Sequence, residues 1–106
     1  MPKTPVKSEG PLRALFYTSL EEFREKRHPG SFYLANADGR GEWAMWYCCP
    51  CGCGHIEPLT VGAGFKPPSS PSWNWNSSKT EPTLSPSVNR KGHWHGHLRD
   101  GCWVSV

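Results

Sequence analysis

The sequence predicts a mostly β fold: a small antiparallel β domain with one short N-terminal helix and a zinc-ribbon-like metal site. Three observations carry this. Strand-like runs are short and separated by Gly, Pro and Asn/Asp punctuation, in a chain of 106 residues that holds 11 Gly and 11 Pro. Only the stretch after Tyr17 carries the caps and amphipathic spacing of a helix. Cys48-Cys-Pro-Cys-Gly-Cys-Gly-His55 and His93-Trp-His95-Gly-His97 then offer thiolates and imidazoles in two separate clusters, the donor set of a tetrahedral zinc ion.

Residues 1–11, rich in Pro, Lys and Gly, read as an N-terminal arm, and residues 12–106 as a single zinc-stabilised β domain. Leu12 to Tyr17 reads as a first strand. Thr18 or Ser19 caps the helix, Glu21 or Glu22 completes a capping box, and Leu20 and Phe23 share its apolar face. Lys26 and Arg27 suit its C-terminal dipole, and Pro29-Gly30 stops it. Ser31 to Leu34 reads as a strand, Asn36-Ala-Asp38-Gly39 as a turn, and Glu42 to Cys48 as the returning strand. The cysteine cluster forms the hairpin tip, and Ile56 to Val61 leaves it, the strand–knuckle–strand order of a zinc ribbon. Gly62 to Ser72 is too rich in Gly, Pro and Ser for a core element and reads as a long loop. Trp73-Asn-Trp75-Asn alternates as a half-buried strand does. Pro82-Thr-Leu-Ser85-Pro-Ser87 is held extended by its prolines. Trp94 to Leu98 and Cys102 to Val106 close the chain as two strands around a turn at Arg99-Asp-Gly101.

Composition excludes several classes. A net charge of +3 with scattered basic residues gives no stripe for nucleic acid. No apolar run is long enough to span a membrane, and the charged start has no secretion signal, so the chain reads as cytoplasmic. A disulfide framework is disfavoured because the 5 cysteines are odd in number and 4 of them crowd into six residues. His-Glu-x-x-His is absent, and so is the deaminase pairing of His-x-Glu with Pro-Cys-x-x-Cys.

Two ligand sets fit the metal. Cys48, Cys51 and Gly52 have knuckle spacing. Cys49, Cys51 and Cys53 form the other set, with Gly52 and Gly54 relaxing the backbone so that alternate residues face one point. His93 or His95 supplies the fourth ligand, with His97 behind them or simply solvated. Four protein ligands make a closed, structural site, and thiolates lower the metal's Lewis acidity.

Cys49-Pro-Cys-Gly-Cys-Gly-His55, Trp73 with Trp75, Pro82-Thr-Leu-Ser85-Pro-Ser87, and Trp94-His95-Gly96 followed by Asp100-Gly101 occur here in that order. In this the chain resembles a small zinc-containing domain-of-unknown-function family found in phage genomes and beside bacterial ubiquitin-like conjugation genes. The resemblance covers roughly residues 31–106. It implies a zinc domain acting as a peptidase that matures or removes ubiquitin-like modifiers, with Cys49, Cys51, Cys53 and His95 at the metal positions. One departure stands out: relatives often carry a cysteine just before the Trp-His pair, where this chain has Gly92 and His93.

For a serine-type peptidase the candidate nucleophiles are Ser85 and Ser87, held by prolines, with His55 as free base and Asp100 as a group to orient an imidazole. A zinc-activated water, with Glu57 or Asp100 as base, is the rival chemistry. The competing class is a non-enzymatic zinc-stabilised interaction module that binds a protein, with nucleic acid disfavoured; there Trp73 and Trp75 would grip the partner instead of filling the core.

Overall fold

The computed structural model describes residues 11–35 and 38–106; the arm reading for residues 1–11, and the Asn36 and Ala37 half of the first turn, therefore fall outside the described residues apart from Pro11. Two sheets share one core. The first has the order β1 (Leu12–Arg13), β9 (Cys102–Ser105), β8 (Trp94–Arg99), β7 (Val88–Arg90). The second has the order β2 (Phe32–Ala35), β3 (Glu42–Cys48), β4 (Ile56–Ala63), β5 (Trp73–Trp75), β6 (Leu84–Ser85). The mostly β expectation holds.

The helix α1 (Leu20–Lys26) forms where its caps lie: Ser19 Oγ accepts the Glu22 N–H at 3.2 Å, and Arg27 closes it in the left-handed region. Phe23 is its one buried side chain. The segment read as a first strand from Leu12 to Tyr17 instead serves both sheets. Leu12 and Arg13 pair with β9, after which Leu15 and Tyr17 exchange backbone bonds with Phe32 at 2.8 and 2.9 Å. A segment that changes partners cannot stay one strand.

The hairpin of β3 and β4 is the longest ladder, running from Glu42↔Gly62 to Cys48↔Ile56. It leaves Met45, Tyr47, Leu59 and Val61 buried. Among the named strands all pairings are antiparallel except one: β5 runs parallel to β4, because the Gly/Pro/Ser loop carries the chain back along the sheet before Trp73 enters it. Trp73 and Trp75 are 9% and 2% exposed, so they fill the core, and the surface that an interaction module would use to grip a partner is not theirs.

From the first sheet, Val88, Leu98 and Trp103 meet that core. Trp103 stacks on Tyr47 and donates its indole N–H to the Gly30 carbonyl at 2.9 Å, so its one polar atom is satisfied. Gly96 occupies the tightest point of β8. A Cβ there would overlap the Val104 carbonyl oxygen and come within 2.5 Å of the Trp94 indole. Gly96→Ala is therefore expected to destabilise the domain by about 2–3 kcal/mol, read as a lower urea midpoint with unchanged m-value.

Candidate active site and metal centre

The hairpin tip bends sharply. The Cys49 N–H bonds the His55 carbonyl at 2.9 Å, the Gly52 N–H bonds the Cys49 carbonyl at 3.1 Å, and Gly52 and Gly54 take φ values of 91° and 85° that favour glycine. This bend gathers Cys49, Cys51 and Cys53. The turn between β7 and β8 brings His93 to them, and the four ligand atoms lie within 4.8 Å of one another. Cys48 is not among the four: alternation turns it to the face of β3 opposite Met45, Tyr47 and Cys49, where it is buried outside the shared core.

The donors fit a metal ion. Cys49 Sγ and Cys51 Sγ are 3.2 Å apart, and Cys51 Sγ and His93 Nδ1 are 3.7 Å apart, close to the edge of about 3.7 Å in a tetrahedron built with zinc–sulfur bonds of about 2.3 Å. The surroundings agree. Burial pushes the Cys49 thiol up to about 12, so a cation is what would hold it as thiolate. Next to it the Arg90 guanidinium has a buried Nε–H with no acceptor, and a Cys49 thiolate would supply one. Arg90 is held from the other side by Glu57 at 3.1 Å, and Glu57 also accepts the Tyr47 hydroxyl at 2.9 Å. A metal here would join the tip of one sheet to the β7–β8 turn of the other.

His95 is elsewhere. It lies two residues along β8 on the outer face, and its Nε2 is 3.2 Å from Ser87 Oγ. The register explains the pairing. Asn89 stands opposite His95 and Val88 opposite Gly96, so Ser87 reaches His95 across a diagonal of the same face. Ser87 is further fixed by its carbonyl, which accepts the Trp73 indole N–H at 3.1 Å. The alternating histidines are thus divided: His93 joins the thiols, and His95 joins a hydroxyl. The expectation of His95 as a metal ligand does not match this placement.

The other sequence candidates are not brought to Ser87. Ser85 is exposed in β6, opposite Asn74. His55 faces Glu57 at 3.6 Å. Asp100 sits in the turn at the far end of β8, where its N–H bonds Thr83 Oγ1 at 2.9 Å. Among the described residues no carboxylate lies within ion-pair distance of His95, so Ser87 and His95 meet without an acidic third partner.

A serine hydroxyl thus stands against an imidazole on a small two-sheet scaffold, two residues from a cysteine–histidine cluster that could hold a metal ion. The comparison with protein families agrees. The chain belongs to the family of bacterial ubiquitination-like system serine proteases (BubE), whose match spans residues 19–106. No curated protein and no solved structure matches the chain. Among the described residues no helix is long and apolar enough to cross a membrane.

Proposed function

We propose that Ser87 is the nucleophile and His95 the general base of a peptidase that processes or deconjugates a ubiquitin-like modifier, with one zinc held by Cys49, Cys51, Cys53 and His93 as a structural clip. The observation that carries this is the 3.2 Å approach of Ser87 Oγ to His95 Nε2, in a chain of a serine protease family. With its proton on Nδ1, His95 accepts the Ser87 proton at Nε2 as Oγ attacks the carbonyl. It then returns that proton to the leaving amine, and a water activated in the same way releases the acyl group. Zinc, when bound, supplies cross-linking of the two sheets; four protein donors fill a tetrahedral shell, so the rival water-activating role has no coordination position to use. A protein partner follows from the family's place in a ubiquitination-like system. None of the 5 cysteines is in a disulfide, which suits the cytoplasm of a bacterial or phage-infected cell.

The test is direct trapping. A fluorophosphonate probe, followed by peptide mass spectrometry, is expected to modify Ser87, and the labelled protein is expected to stop cleaving a ubiquitin-like fusion. Modification at Ser85, or cleavage that survives full labelling, would remove the assignment.

A further inference from the structure

The serine's own strand is a sheet edge. In the order β1–β9–β8–β7, β7 is last. The Val106 N–H bonds the His95 carbonyl at 3.0 Å, so His95 points its backbone groups at β9 and its neighbours Trp94 and Gly96 point theirs at β7. The Arg90 carbonyl, bonded to the His93 N–H at 2.9 Å, confirms that phase. By alternation the N–H and C=O of Asn89 face away from β8, the same way as the Ser87 carbonyl that meets Trp73. On that open side lies a cleft of about 400 Å³, bordered by Pro58, Leu59, Ser70, Pro71, Trp73 and Asn89. Its size is at the small end of the roughly 300–1,000 Å³ of ligand pockets, room for a few small residues rather than a folded surface.

We infer that this cleft binds the substrate as an added β-strand: an extended peptide of small residues, antiparallel to β7, leading into the scissile bond at Ser87. The inference rests on the reading of Ser87 as the nucleophile. Backbone complementarity selects the occupant. Main-chain N–H and C=O groups turned outward beside a nucleophile are met by another main chain, the usual mode of strand addition. With Ser87 opposite the residue whose carbonyl is attacked, Asn89 exchanges both bonds with the residue two positions before it.

Metal-loaded wild-type protein is assayed with p-nitrophenyl acetate, the p-nitrophenyl ester of acetyl-tetra-alanine, and versions of the latter N-methylated at one alanine. The peptide ester is expected to exceed the acetate by at least about tenfold in kcat/KM. N-methylation of the third alanine from the ester is expected to remove about tenfold, and of the second less than about threefold, the period-two signature of strand pairing. Asn89→Pro, which removes an outward N–H at an edge position that tolerates proline, is expected to raise KM for the peptide ester by a similar factor. Equal rates for the two esters, or methylation effects without alternation, would overturn the inference. In Ser87→Ala protein, excess acetyl-tetra-alanine amide is expected to slow hydrogen exchange at the Asn89 amide, and unchanged exchange overturns it. Ester hydrolysis that survives Ser87→Ala would overturn the nucleophile assignment alone, since the exchange result reads the edge without chemistry.

Discussion

Ser87→Ala is expected to lower kcat/KM on a ubiquitin-like fusion by about 10³- to 10⁶-fold, and His95→Ala by a comparable factor. In the proposed mechanism the two act as one unit: the hydroxyl is a weak nucleophile at its own pKa, and the imidazole 3.2 Å away would remove its proton. The double variant should therefore be no worse than the worse single one, to within about threefold. Ser85→Ala provides the contrast. Ser85 is exposed in a separate strand, so its loss should change the rate by less than about threefold, within the range of ordinary surface substitutions. Single-turnover kinetics on the four proteins checks all of this, with circular dichroism to show that each is folded. Activity in Ser87→Ala protein within tenfold of wild type would end the serine reading.

Much of this arrangement was legible in residue types and spacing. The Ser19 cap, the hairpin around the cysteines and the set Cys49, Cys51, Cys53 all follow from local rules that the structure obeys. The partition of the histidines did not. His93, His95 and His97 look equivalent along an alternating strand, and what separates them is a three-residue partner, β7, whose Val88-Asn-Arg90 carries no strong strand signal. Only the cross-strand register puts Ser87 on the diagonal from His95. His55 illustrates the opposite error. It is adjacent to the thiols in sequence, yet the tip that bends Cys49 toward His93 leaves it against Glu57 instead. The parallel entry of β5 was equally hidden, since loop composition gives flexibility but no direction.

Removing the metal is expected to cost at least about 3 kcal/mol, a fall in Tm of about 12–24 °C for a domain near this size. Structural zinc sites in smaller modules contribute more, but here the tryptophan-rich core is shared by both sheets and remains when the clip is gone. What the proposed clip would add is local. His93 lies two residues before His95, so ligation of His93 would fix the β7–β8 turn and, through it, the imidazole that meets Ser87. Loss of the metal should then remove activity before the fold is lost, and zinc stoichiometry measured by mass spectrometry beside thermal melts separates the two effects. Cys49→Ala and His93→Ala are expected to lose the metal. His95→Ala should retain one zinc per chain and melt within a few degrees of wild type, since its ring touches the serine and not the cluster. The reverse result, metal lost from His95→Ala and kept in His93→Ala, would exchange the two histidines' roles. Substitution of cobalt or cadmium for zinc completes the argument. A clip tolerates the exchange with little change in kcat, whereas a metal that polarised the substrate would not.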